Sequence, residues 1–353
     1  LKVYCNPSRG PGLERKTLFN FYNFQSHSTA AARSLYAGAA AEEFSRYPRV
    51  PLPPWLSTFE DAISARSFLN AASKVRATAS PGYPACLDFA VKGDLLEEAL
   101  PDLFQCFIVR MHLLRAAGAS LPQTGLTTSE IVSTFLNDPY QVLLKNEVRK
   151  VNKDTRLVLQ ASLLNEIILT VLWDAILKFD KQHKFEYGFA AGMSFSPEDS
   201  DLLFRAQPGD QFTSDTVKYD SSIEDHEERI NTRERAKRYD PPLPPDLLRC
   251  AEMMAFCSMR KEMVIGTGDV YSQTEPGVGP TGEKLTNKRN SEDRNVRSRL
   301  VCTFAGVRNP GSTSNGDDCV ENNDGMDLSP FYDGFGYRIR DPVLSHGESL
   351  DFC

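Results

Sequence analysis

Two adjacent aspartates in a tight polar turn, Asn315-Gly316-Asp317-Asp318-Cys319-Val320-Glu321, place the strongest constraint on what this chain can become. Upstream, Ser214-Asp215-Thr216-Val217-Lys218-Tyr219-Asp220 sets two more aspartates five apart at the end of a strand-like run. If the fold gathers three of these carboxylates, each pair at ~4 Å repels by ~4 kcal/mol at an effective dielectric of 20. Such a cluster needs a cation. Hard oxygen ligands of this kind hold divalent ions, and two ions ~3.5–4 Å apart can activate a hydroxyl and stabilise a leaving pyrophosphate. Taken singly, each cluster also reads as a solvated turn, because loops rich in Asp, Asn and Gly are common.

Between the clusters runs Pro276-Gly277-Val278-Gly279-Pro280-Thr281-Gly282-Glu283-Lys284-Leu285-Thr286-Asn287-Lys288-Arg289-Asn290. A glycine-rich loop here leads into a helix on which Thr286 and Asn290 share a face. Their hydroxyl and amide groups can hydrogen-bond a ribose, and the same residues also suit an ordinary polar helix face. Farther upstream, residues 145–156 (KNEVRKVNKDTR) hold five basic and two acidic residues in a chain of net charge −7. That run reads as a solvated surface or as a triphosphate clamp built from Arg and Lys.

With 353 residues, 41% hydrophobic and 25% charged, the chain can bury a large core, which excludes a disordered tail or a coiled-coil rod. The acidic balance excludes a protein that merely coats nucleic acid, so a polyanion would be met by a local basic channel or by bound metal. No apolar run approaches membrane-spanning length. The first residues, LKVYCNPSRGPG, resemble no signal peptide and lack Met, so a piece of a longer product is expected. Cysteines 5, 86, 106, 250, 257, 302, 319 and 353 are scattered without zinc spacing, and free thiols are expected.

The pattern predicts helices over Phe59–Ala72, from Leu95 to Ala117 with a break near Pro101, and from Ile131 onward behind a Thr127–Glu130 cap. It predicts further helices over Ser162–Phe179 and from an Asp246 cap through Met254. Strand-like runs come late, at Gln211–Val217, Leu300–Phe304 and Cys319–Glu321. Many helices with a few late strands suggest an α+β fold whose small antiparallel sheet carries the chemistry.

The order and spacing of these parts resemble the viral RNA-dependent RNA polymerases, particularly the sobemovirus and barnavirus-like group. Asp215 and Asp220, continued by Asp225 and Glu227, match the first palm motif. Gly282, Thr286 and Asn290 match the second, with Thr281 where the family has Ser. Gly316, Asp317 and Asp318, followed by Val320-Glu321, match the third. Tyr332, Gly336, Arg340 and Asp341 fit the fourth, and Phe352-Cys353 begin the fifth. Lys145-Asn146-Glu147, Arg156 and Ser162-Leu163 look like the fingers motif that contacts the triphosphate. Thr78-Ala79-Ser80-Pro81-Gly82-Tyr83-Pro84 is similar to the template-path motif. The match runs in order from about residue 78 to the end.

The resemblance implies a right-hand polymerase fold: helical fingers and a palm of small antiparallel sheet flanked by helices. It implies an N-terminal extension over 1–77 packing on the fingers, fingers over 78–208, palm over 209–235, a fingers insertion over 236–275, and palm again over 276–353. The thumb is expected to be absent from this chain. Asp215, Asp317 and Asp318 would hold Mg²⁺ or Mn²⁺; Asp220, Thr286 and Asn290 would read the 2′-hydroxyl; Lys145 and Arg156 would hold the triphosphate; and Ser80, Gly82, Thr281 and Gly282 would line the template path. Partners implied are an RNA template and nascent strand, nucleoside triphosphates and other viral replication proteins, in host cytoplasm at membrane-associated sites.

Arg340 departs from the Lys usual in this group. A guanidinium stays protonated, so Arg340 can stabilise charge yet is a poor general acid for pyrophosphate. Three rivals stay open at the level of sequence. One is an RNA-binding polymerase-like fragment without turnover. Another is a reverse transcriptase, which Asp220 disfavours. The third is a helical interaction protein with incidental acidic loops, which requires Asp215 and Asp317 to lie far apart.

Overall fold

The structure is a computed structural model that describes residues 4–5, 10–121, 125–145, 147, 149–150, 155–190, 193 and 196–346. Asn146 and the Phe352-Cys353 motif lie outside the described residues. The first strand, β1 (Tyr4–Cys5), precedes α1 (Pro11–Asn23), whose proline sits in the first turn, where no helical N–H partner is lost. In α2 (Ala30–Ser45) the Thr29 hydroxyl caps the first turn by accepting from the Ala32 N–H. After β2 (Val50–Pro51), the single helix predicted over 59–72 is two, α3 (Phe59–Ala62) and α4 (Ala65–Ala72). The reason is Ser64, whose side chain accepts from the Ser67 N–H and starts a new helix. The next pair, α5 (Lys92–Glu98) and α6 (Leu100–Gly118), breaks at Ala99 and leaves Pro101 in the first turn of α6. Helix α7 (Thr128–Ser133) starts three residues before the predicted Ile131, and Thr127 and Glu130 cap each other's backbone N–H.

Three strands that the late-strand expectation lacked follow: β3 (Tyr140–Leu144), β4 (Arg149–Lys150) and β5 (Leu157–Gln160). For β3 and β5 the signal was period-2 alternation, with Tyr140, Val142, Leu157 and Leu159 inward. Then come α8 (Leu163–Gln182), α9 (Pro197–Ala206), β6 (Asp210–Thr216), α10 (Asp225–Ala236) and β7 (Tyr239–Asp240). In α11 (Pro245–Ser258) the cap position is Pro244, and Asp246 lies in the first turn instead of capping it. The chain continues through β8 (Glu262–Val264), β9 (Val270–Ser272) and α12 (Thr286–Ala305). The predicted strand at 300–304 is the last turn and a half of α12. The final elements are β10 (Ser312–Asn315), β11 (Asp318–Asn322), α13 (Ser329–Phe335) and β12 (Ile339–His346).

These elements divide into two compact units. The first comprises Leu1–Gln25, Pro54–Leu172 and Pro244–Lys284. Its four-stranded sheet has the order β5-β3-β8-β9, with β3 and β8 parallel and the outer pairs antiparallel. Leu18, Tyr140, Val142, Leu159 and Met263 form part of its buried cluster.

The second unit comprises Ser26–Pro53, Trp173–Leu243 and Leu285–Cys353, so residues 1–77 are shared between the two. Its sheet is antiparallel throughout, in the order β10-β11-β6-β12. Helix α12 packs on α2, α10 and α13 and against β10 and β11. Tyr36, Phe44, Phe212, Val301 and Tyr332 belong to the core between them. This is a small antiparallel sheet flanked by helices. Six described cysteines (86, 106, 250, 257, 302 and 319) are free. Among the described residues, no helix is long and apolar enough to cross a membrane.

Candidate active site

The acidic clusters meet at one end of the second unit's sheet. Asn315 pairs with Asp318 across the β10–β11 hairpin, leaving Gly316 and Asp317 as a two-residue turn. Gly316 takes φ +72°, the left-handed first position that such turns reserve for glycine. Strand β11 pairs with β6 through Cys319↔Ser214 and Val320↔Thr213, so one further step along that register sets Asp318 opposite Asp215. On the other side of β6, Arg340 of β12 is the direct partner of Asp215. The β12 ladder then shifts between Arg340 and Val343, a bulge of the kind found beside functional sites.

Arg340 donates from Nε to the Asp215 carboxylate at 2.7 Å, and its Nη2 bonds the same oxygen. That hydrogen bond, with the nearby Asp341 and Asp317 carboxylates, raises Arg340 above its ordinary value. Asp215, Asp317 and Asp341 therefore all act on one guanidinium. The donor chemistry of Asp215, Asp317 and Asp318, carboxylate oxygens at the mouth of one hairpin and its neighbouring strand, fits Mg²⁺ or Mn²⁺. Among the described residues, no group of three such side chains is set at ligating distance of a common metal ion. Arg340 occupies the Asp215 carboxylate instead.

Asp220 follows β6 in a one-turn 3₁₀ helix, Tyr219–Ser222, entered through Lys218 at φ +48°. Its carboxylate accepts from Asn290 Nδ2 at 3.1 Å. Asn290 Oδ1 is buried and accepts no hydrogen bond from the described residues. Thr286 opens α12 one turn before Asn290. Two residues that sequence reasoning missed tie the hairpin to this helix. Ser291 Oγ accepts from the Gly316 N–H at 2.8 Å, and Asn287 Nδ2 donates to Asn315 Oδ1 at 3.1 Å. Their signal was available: they sit four apart, a stripe adjacent to Thr286 and Asn290.

The rest of α12 is a buried ionic spine. Arg294 lies within 2.7 Å of Ser214 Oγ and 3.1 Å of Glu321. Arg297 reaches Glu227 at 2.6 Å, Asp293 at 2.9 Å and Ser222 Oγ at 2.8 Å. The Tyr219 hydroxyl, beside Asp220, is 2.6 Å from Asp293 and 2.9 Å from the Asn290 carbonyl. Lys288 and the bidentate Arg238 hold Asp180. Burial alone would raise Asp180, but those two cations more than offset it and keep its carboxyl below the ordinary range. Burial pushes Glu227 up to about 8, against the pull of Arg297. The residues on either side of Asp215 and Asp220 are thus clamped by α12.

The remaining predicted residues lie in the first unit. Thr281 Oγ1 accepts from the Leu159 N–H at 2.9 Å, and the Gly282 N–H donates to the Leu159 carbonyl at 3.0 Å. A Cβ on Gly282 would stand 2.6 Å from that carbonyl, and one on Gly82 would stand 2.4 Å from the Ala161 carbonyl. Both glycines press on the end of β5, where no side chain fits. Ser80 Oγ donates to Gln141 and accepts from the Gly82 N–H, each at 3.2 Å. Ser80, Gly82, Thr281 and Gly282 are therefore gathered around one strand end. Lys145 and Arg156 join each other through a backbone hydrogen bond of 2.9 Å, and both flank Glu147, at 3.0 and 3.9 Å.

With this geometry in hand, comparison with known proteins places the chain. No family model matches it. It is 23% identical to the replicase polyprotein P2AB of Cocksfoot mottle virus, over all of this chain and 38% of the relative. It is 25% identical to the replicase polyprotein P2AB of Southern cowpea mosaic virus, over 78% of this chain and 29% of the relative. It is 24% identical to protein P2-P3 of Poinsettia latent virus, over 72% of this chain and 23% of the relative. The chain thus spans less than two fifths of each. Among solved structures, the Sicinivirus 3Dpol RNA dependent RNA polymerase superposes with a TM-score of 0.69 at 18% identity, covering 96% of this chain and 70% of that one. The chain carries the fold of a viral RNA-dependent RNA polymerase and resembles the sobemovirus-like replicases in sequence.

Proposed function

We propose that this chain is the catalytic part of an RNA-directed RNA polymerase that joins nucleoside triphosphates to an RNA 3′-hydroxyl on an RNA template. The observation that carries the reading is the convergence of Asp215, Asp220, Asn290 and the Asp317-Asp318 turn on one end of one sheet. An interaction protein with incidental acidic loops gives no reason for that.

The 3′-hydroxyl attacks the α-phosphate and pyrophosphate leaves, so catalysis rests on placement and electrostatics. Asp215, Asp317 and Asp318 would hold Mg²⁺ or Mn²⁺, which supplies positive charge for the attacking and leaving oxygens. Before that, Arg340 leaves the Asp215 carboxylate and turns its fixed positive charge to the departing phosphates. Asp220 orients Asn290, whose open Oδ1 accepts from a 2′-hydroxyl, the group that separates ribonucleotides from deoxyribonucleotides. Lys145 and Arg156 exchange Glu147 for the triphosphate. Ser80, Gly82, Thr281 and Gly282 hold the template strand against the end of β5. Replication in host cytoplasm at membrane-associated sites, with other viral replication proteins, belongs to the same proposal.

Asp317→Ala tests it. Incorporation of labelled NTP on a primed RNA template falls to background, while far-ultraviolet circular dichroism stays native. Wild-type incorporation by that variant overturns the assignment. A second reading, RNA binding without turnover, draws on the Arg340–Asp215 pair; it predicts that the unmodified chain binds primed RNA yet extends none of it.

A further inference from the structure

The far end of the same hairpin holds a cavity that the polymerase reading leaves unused. It has a volume of about 380 Å³ and is lined by Arg46, Gln207, Arg299, Arg308, Gly311 and Asn322 among others. That volume is within the range of small-ligand sites. Three guanidinium groups reach it, and among the described residues no carboxylate lines it. Their acidic partners stand behind the wall: Glu43 beside Arg46 and Arg299, Glu42 beside Arg299, and Asp324 beside Arg308.

Two of the lining amides are oriented from their nitrogens. Gln207 Nε2 donates to Thr313 Oγ1 at 2.9 Å, and Asn322 Nδ2 donates to the Asn309 carbonyl at 3.3 Å. Their oxygens, Gln207 Oε1 and Asn322 Oδ1, are buried and accept no hydrogen bond from the described residues. Gln207 is 95% buried, since only 5% of its surface is exposed. A buried acceptor left open keeps its full desolvation penalty unless a donor arrives. Gly311 keeps the space clear: a Cβ there would lie 3.3 Å from Asn322 Nδ2, 3.7 Å from Arg46 Nη2 and 3.9 Å from Gln207 Oε1.

Guanidinium groups call for an anion, most effectively a phosphate, and two open carbonyl oxygens call for hydroxyl donors. We propose that this cavity binds a phosphate ester of a hydroxylated sugar, with the phosphate on Arg46, Arg299 and Arg308 and the sugar hydroxyls on Gln207 and Asn322. The site is separate from the acidic turn. The four residues of β10, five steps or ~17 Å of strand, separate Gly311 from Gly316, and on α12 Arg299 stands nine residues, ~13 Å, beyond Asn290.

Calorimetric titration in metal-free buffer tests the assignment with ribose 5-phosphate, inorganic phosphate and ribose as separate probes. Ribose 5-phosphate is expected to bind saturably and at least tenfold more tightly than either fragment. The exposed pair Arg46→Gln/Arg308→Gln should weaken it at least tenfold. Gly311→Val, which fills the space without changing charge, should do the same, with thermal unfolding confirming that each variant is folded. Competition by a 5′-phosphorylated RNA trinucleotide assigns the physiological source to an RNA end, and its failure to compete assigns a free sugar phosphate. Absence of saturable binding, or wild-type binding by both variants, overturns the proposal. None of these readouts depends on nucleotide incorporation, so they stand or fall apart from the polymerase reading.

Discussion

Helices α8 and α12 are each 20 residues long and both are buried, yet they are written in opposite alphabets. The α8 sequence, LLNEIILTVLWDAILKFDKQ, hides Ile167, Ile168, Leu172, Trp173 and Ile176 by the hydrophobic effect. The α12 sequence, TNKRNSEDRNVRSRLVCTFA, hides Lys288, Arg289, Glu292, Asp293, Arg294, Arg297 and Arg299. Removing such charges from water costs several kcal/mol per ion even after relaxation. Each is therefore paired with a charge of opposite sign, on α12 itself or on α2, α8, α10 or β11. What α12 gains for this cost is direction. Apolar side chains fill volume without fixing orientation, whereas Arg294 on Ser214 and Arg297 on Ser222 hold the chain on either side of Asp215 and Asp220 at defined distances.

The largest break in that comparison comes from removing one partner of an α12 pair. Arg297→Met leaves Glu227 and Asp293 buried against each other and should lose ~3–5 kcal/mol, read from urea unfolding midpoints. A loss below 1 kcal/mol would show that the spine is slack. In α8, Ile168→Ala creates a cavity and should lose ~2–5 kcal/mol. The discriminating readout is circular dichroism in the aromatic region. Tyr219, Tyr332 and Tyr337 contact the spine, so the native signal should weaken with Arg297→Met and persist with Ile168→Ala.

Acidity sharpens the contrast through Asp180 of α8 and Glu227, a partner of α12. The folded Asp180 carboxyl is held below its ordinary 3.8, so its contribution is present above that value and is lost as pH falls through the folded value. Glu227 has the opposite sign. Its folded value of about 8 lies above the ordinary 4.5, so the fold binds the extra proton between the two, and stability from this group declines as pH rises from 4.5 to 8. Glu227→Gln mimics the protonated form and should flatten the pH 5–8 limb of the urea midpoint. An unchanged slope would mean that Arg297 keeps Glu227 ionised in the fold.

These two helices also explain what could be read in advance. Apolar periodicity identified α8, the strand-like run at Gln211–Val217 matches β6 (Asp210–Thr216), and the turn before Cys319–Glu321 was legible, whereas β10, which makes that turn a hairpin, was not. Periodicity could not identify α12 as buried, since a run of Arg, Asp and Asn matches a solvated face until its partners are known. Those partners, Glu43, Asp180, Glu227 and Glu321, lie far away in sequence. The same gap made Leu300–Phe304 read as a strand, because the short apolar run had no visible helical continuation. Thr286 and Asn290 were readable from their spacing, but the contacts of Asn287 and Ser291 depend on where the hairpin docks.

The smallest expected effect settles whether the spine exists for stability or for placement. Arg235 and Glu292 form a pair with both residues fully buried, at 2.6 Å. Replacing both, as Arg235→Met/Glu292→Leu, strands neither neighbour: Lys288 keeps Asp180 at 2.6 Å, and Glu228 keeps Arg289 at 3.8 Å. Apolar replacement of a whole buried pair is often neutral or stabilising by ~1–4 kcal/mol. The double variant should therefore unfold within about 1 kcal/mol of the wild type or above it. Arg294→Lys is the counterpart, since it keeps the charge beside Glu321 but cannot span Tyr332, Ser214 and Glu321 together. If the spine places the site, Arg294→Lys should reduce nucleotide incorporation at least tenfold while the Arg235/Glu292 double leaves it unchanged. If the double variant instead lost stability as steeply as Arg297→Met, the buried charges would be a stabilising core in their own right, and the contrast with α8 would be one of composition alone.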